Sequence, residues 1–84
     1  MMHSLDGLLI RGESPVTDLA PGQRVAVLSH GNVMDWPFRT AAGVLRGFTV
    51  PHGFAVVDVD DWGEVPPHIR HAPLLIHPES LEAR

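Results

Sequence analysis

The stretch Phe54-Ala55-Val56-Val57-Asp58-Val59-Asp60 limits what this chain can become more than any other. It is apolar and β-branched, closes on Asp61-Trp62-Gly63, and is answered by a shorter run, Pro73-Leu74-Leu75-Ile76-His77, that stops at Pro78. Such runs favour strands, because branched side chains pack well on a pleated surface and the Gly, Pro and Asp residues between them supply turns. A third run, Arg24-Val25-Ala26-Val27-Leu28-Ser29, follows the turn pair Pro21-Gly22 and is apolar on both faces, so it is expected to be buried or to lie at an interface.

The stretch Arg39–Val50 is ambiguous. Ala41-Ala42 suits a helical turn, but its β-branched residues together with Gly43 and Gly47 point to a bent strand carrying a bulge. Gly7–Arg11 is expected to form a short strand, and Pro78–Arg84 a single helical turn. Between the strands lie two loops, His30–Phe38 and Asp61–Ala72. The expected fold class is therefore all-β, a small rolled sheet or five-stranded barrel with a short C-terminal helical turn.

Eighty-four residues allow one domain, with residues 1–6 expected to be flexible and the barrel to span about residues 7–82. A body this small buries roughly 60–65% of its unfolded surface. With no cysteine, the remaining stability is expected to come from strand packing, a bound metal or association. The net charge of −4 and six separated arginines without a lysine argue against nucleic acid as a main partner, since phosphate binding relies on clustered cations. The Ala, Gly, Pro, Val and His bias is that of high-GC coding, as in actinobacteria or their phages. With neither a membrane-length apolar run nor a secretory leader pattern, the expected location is cytoplasmic, or virion-associated for a phage protein.

The pattern Pro21-Gly22-Gln23 leading into Arg24–Val27, the bent Gly43–Gly47 strand, the Ala55–Asp60 strand and the terminal Ile76-His77-Pro78-Glu79-Ser80-Leu81 resembles small barrels of the Src-homology-3-like type. The likeness covers about residues 21–82 and concerns the fold, so it carries over no functional residue. It implies that aromatic loop residues can form a groove for an extended peptide.

Trp36, Phe38, Arg39 and Trp62 are accordingly the candidate interaction surface. Trp36 has two readings: an interface anchor with a large ring and a polar handle, or a plug for one end of the sheet. Phe48, Phe54 and part of Trp62 are expected in the core.

Chemistry is less well signalled. Leu9–Ser14 and Ser29-His30-Gly31 are similar to the motifs of the histidine phosphatase family, but Arg11 runs straight into Gly12 where the nucleophilic histidine would stand. Asp58–Glu64 opens like an EF-hand calcium loop, yet Trp62 and Ile69 occupy positions that need oxygen ligands. Six histidines leave a metal reading, with His68 and His71 neighbouring one another if their segment is helical and His77, His52 or an acid such as Asp61 as the third zinc ligand. The expected function is a non-enzymatic protein-interaction or assembly module, self-associating or docked on a larger bacterial or phage complex, with no cofactor. The alternative is a small histidine-rich metal-binding protein or metal-dependent enzyme using His68 and His71.

Overall fold

The computed structural model describes residues 2–5 and 8–84. Seven strands form one antiparallel sheet: β1 Met2–Leu5, β2 Leu8–Arg11, β3 Arg24–Val27, β4 Ala42–Thr49, β5 Ala55–Asp61, β6 Leu74–Ile76 and β7 Leu81–Ala83. Three 3₁₀ turns, Val33–Phe38, Pro67–Ile69 and Pro78–Ser80, sit in the connections. No helix among the described residues is long and apolar enough to cross a membrane.

The all-β expectation is met, and β4 organises it. One edge of β4 pairs along its length with β5; the other is shared, Ala42–Val44 pairing with β3 and Phe48–Thr49 with β2. A single straight strand does not serve two neighbours on one edge in this way. The register shifts between Leu45 and Gly47, where Arg46 is the extra residue, and between Ala42 and Gly43, where Asp60 of β5 is the extra one. A bulge bends its strand and increases the local twist, which is the bent strand expected from Gly43 and Gly47. Gly47 takes φ 151°, a value that L side chains rarely adopt, and at Gly43 an added Cβ would overlap the Asp58 carbonyl oxygen and stand 2.7 Å from Val59 Cα.

The bulges also re-aim side chains. The Arg24 guanidinium grips the Asp60 carboxylate in two hydrogen bonds of 2.7 and 2.8 Å, and Arg46 pairs with Asp58. Asp58 and Asp60 therefore form, with Arg46 and Arg24, a charged lattice across β3, β4 and β5. Beside Arg24, whose hydrogen bonds favour the charged form, the Asp60 carboxyl is held below the usual carboxylate range. The pair is exposed, so its contribution to stability is small.

On the other side of the sheet Phe48, Leu45, Val57, Leu74, Ile76 and Val25 pack as a closed apolar core. β1, β6 and β7 each pair on one side only among the described residues, so the sheet is open along those edges.

Within the segment expected to be flexible, Met2–Leu5 pairs with β2 residue by residue, whereas Met1, Asp6 and Gly7, the last being the first residue of the expected Gly7–Arg11 strand, lie outside the described residues. One expectation is corrected at the other end of the chain. The C-terminal helical turn stops at Ser80, and Leu81–Ala83 continues as β7 against β3. Proline at the start of Pro78–Ser80 favours a turn, but the edge of β3 beside it offers unpaired backbone groups, and a strand satisfies them.

Gly43→Ala is expected to destabilise the fold by about 2–3 kcal/mol, because strand β5 cannot retreat from β4 without breaking their pairing. Urea unfolding followed by tryptophan fluorescence measures it, and an unchanged midpoint would contradict this close approach.

Candidate functional site

The candidate site is built on the Val33–Phe38 turn. Asn32 starts it, its side-chain oxygen accepting the Met34 amide at 2.9 Å while its own carbonyl accepts the Asp35 amide at 2.9 Å. In a 3₁₀ helix residues three apart eclipse one another, so the turn has three ridges: Val33 with Trp36, Met34 with Pro37, and Asp35 with Phe38. Asp35 is 5% exposed and Phe38 packs on the core, so this ridge faces inward. The other two face solvent, with Val33 80%, Met34 73% and Trp36 51% exposed. The polarity is inverted: the charged residue points in and four apolar residues point out.

What makes the inversion stable is the Asp35 carboxylate. Its Oδ2 accepts the Ser80 hydroxyl at 2.7 Å, the His77 amide at 3.0 Å, and lies 2.8 Å from His77 Nδ1. Ser80 is fully buried and in turn accepts the Asn32 amide at 2.9 Å, while its carbonyl accepts the Leu28 amide at 2.7 Å. Gly31 lies so close that a Cβ there would stand 2.7 Å from Ser80 Oγ. The Phe54 ring meets the His77 imidazole edge-on, 5.1 Å between centroids. No buried side-chain nitrogen or oxygen among the described residues lacks a hydrogen-bond partner.

Asp35, His77 and Ser80 are the residue types of a hydrolytic triad, but the connections differ. Ser80 donates to Asp35 and not to the imidazole, and its hydroxyl is sealed in the interior, so there is no base beside an accessible nucleophile. The cluster is a structural tie between the Val33–Phe38 turn, the end of β3 and the Pro78–Ser80 turn.

Beside the turn lies a groove of about 300 Å³ lined by Trp36, Pro37, Arg39, Thr40, Glu64, Pro66 and Ile69. Thr40 joins its two sides: the hydroxyl donates to the Trp62 carbonyl at 3.0 Å and accepts the Glu64 amide at 2.7 Å. Gly63, at φ 57°, lets the 62–64 loop pass against Thr40, where a Cβ would meet its side chain at 2.7 Å. Arg39 lies flat on Trp36, with Cζ 3.7 Å from the ring centroid and Nη1 donating to the Trp36 carbonyl at 3.3 Å. A cation over an indole face is attractive, by about 0.5–1 kcal/mol at an exposed site, and it also fixes the ring's orientation.

Of the four residues expected at an interaction surface, Trp36 and Arg39 line the groove. Phe38 and Trp62 are packed against the core instead. The expected zinc ligands are not brought together. His68 is exposed in the Pro67–Ile69 turn, His71 has Nδ1 at 3.0 Å from the Ile69 carbonyl and its ring edge-on to Phe38, and His77 is held at Asp35. The helix that His68 and His71 need ends at Ile69, after which Arg70 is extended. No group of three or more His, Cys, Asp or Glu side chains among the described residues is placed to hold a metal ion.

Asp35, Thr40, Glu64, Pro66, Ile69 and Ser80 were not singled out by the sequence. For Asp35 a signal existed: Asn32 as a cap followed by an Asp-x-x-Phe spacing fits one ridge of a 3₁₀ helix. The partner residues, more than forty positions along the chain, left none. Compared with protein families, curated proteins and solved structures, the chain matches none.

Asp35→Ala is expected to cost about 3 kcal/mol, since it leaves two donors of His77 and the Ser80 hydroxyl without their acceptor. Asp35→Asn, which keeps one carbonyl oxygen there, is expected to cost less than half as much. Equal losses for the two variants in urea unfolding would contradict the hydrogen-bond tie.

Proposed function

We propose that this chain is a non-enzymatic protein-interaction module whose docking face is the outward side of the Val33–Phe38 turn together with the adjoining groove. The observation that carries the proposal is Trp36. Its ring is half exposed, oriented by Arg39, and continuous with exposed Val33, Met34 and Pro37. Leaving that much apolar area in water is unfavourable; the Asp35 tie fixes that these four positions face outward but not that they are apolar, and an outer face covered in use accounts for that choice. Tryptophan and arginine are also the side chains that most often dominate binding energy, and an anchor already held in position loses less entropy on docking.

The Src-homology-3-like resemblance fits this reading. Strands β3 to β7 span the region of likeness, β4 bends to serve both halves of the sheet, and the final strand returns after a 3₁₀ turn to pair with β3. Such an order suits a five-stranded rolled barrel, and the groove lies on loops, where peptide recognition on such a scaffold is expected.

Trp36→Ala is expected to leave the unfolding free energy within about 1 kcal/mol of the parent while weakening partner binding at least tenfold, the loss typical of a central anchor. The test compares complexes isolated with the tagged parent and the variant from the source cells, by intact mass. Loss of a defined complex with the fold retained is the expected result; identical complexes would overturn the proposed docking face.

A further inference from the structure

Two arginines, Arg39 and Arg70, stand at or near the groove. The chain carries ten acidic residues against six arginines. Two of those arginines, Arg24 and Arg46, are neutralised by Asp60 and Asp58 on the sheet. Arg39 and Arg70 are not. Among the described residues neither has a carboxylate partner, and their hydrogen bonds go to main-chain carbonyls: Arg39 to Trp36, and Arg70 Nε to Val65 at 2.8 Å. Arg39 is part of the groove's lining, and Arg70 lies outside the lining with its Nε on the carbonyl of Val65, the residue between the lining residues Glu64 and Pro66. A guanidinium has five N–H donors, so most of each set remains for another acceptor. His68 and His71, which bracket Ile69 and Arg70 in the chain, are exposed, and Glu64 is the one acidic residue in the lining.

We propose that the groove takes an extended peptide in which apolar anchors are flanked by carboxylates, the anchors lying on Trp36, Pro37, Pro66 and Ile69 and the carboxylates meeting Arg39 and Arg70. The proposal rests on the interaction-module reading above and specifies its partner. A carboxylate accepts paired N–H bonds from guanidinium in a fixed geometry, which sets the peptide's register as well as adding attraction. The net negative charge of the chain disfavours such a peptide elsewhere on the surface, and the Arg39 and Arg70 guanidiniums direct it to this groove. Glu64 opposes it, and its neutralisation is expected to strengthen binding.

The test is selection of a randomised linear peptide library on the full chain, with Trp36→Ala as the counter-selection, followed by affinity measurements on the leading peptide. The expected result is Trp36-dependent peptides with Asp or Glu in excess over Lys or Arg beside the apolar anchors. Binding of the leading peptide is expected to fall about threefold or more on Arg70→Gln and at raised salt, and to improve on Glu64→Gln. Trp36-dependent peptides with neutral or basic flanks would overturn the acidic partner and leave the interaction module standing. No Trp36-dependent peptide would overturn both, and a Trp36-dependent dimer of the chain would assign the face to a second copy instead.

Discussion

The arrangement depends on one oxygen atom. Asp35 Oδ2 gathers the Ser80 hydroxyl together with the amide and ring nitrogen of His77, and through Ser80 it reaches the Asn32 amide and the end of β3. A buried carboxylate is costly unless donors replace its water, and here they do. Burying Asp35 commits the neighbouring residues: in a turn with three residues per revolution, an inward Asp35 and Phe38 force Val33, Met34, Trp36 and Pro37 outward. The exposed apolar face is thus a geometric consequence of a polar tie, and the tie gives it rigidity.

The sheet supplies the platform. Its two bulges bend β4 so that one strand serves β2, β3 and β5, and they turn Arg46 and Asp60 toward their ionic partners. Those pairs occupy the charged face of the sheet, which leaves Arg39 and Arg70 as the arginines near the groove without a carboxylate among the described residues. Thr40 then fixes the distance between the aromatic turn and the Trp62–Glu64 loop through a hydroxyl that both donates and accepts. Packing, charge pairing and loop closure converge on a groove whose walls are tied to one another through Thr40 and the Arg39–Trp36 contact, as preorganised binding requires.

Where structure follows from neighbours in the chain, the sequence was legible. The β-branched run at Ala55–Asp61, the turn at Pro21-Gly22 and the glycines that bend β4 all express local steric preferences. Strand β7 was not, because Leu81-Glu82-Ala83 is too short to carry a period and becomes a strand only by pairing with Val25–Val27. The histidines misled for a related reason: His68 and His71 converge only on a helix, and the backbone leaves helical geometry at Arg70. Trp36 and Arg39 were recognisable from side-chain chemistry alone. The groove's opposite wall was not, since Pro66 and Ile69 reach it through a fold that no local pattern encodes.

The most direct test of this account is native-state hydrogen exchange at the His77 amide, whose acceptor is the Asp35 carboxylate. If the tie holds the turn to the body, this amide exchanges only through global unfolding, with the same protection as the amides of β4 and β5. Exchange at the rate of an open loop would mean that Asp35 does not hold the Val33–Phe38 turn in place, and the rigid apolar face would lose its physical basis.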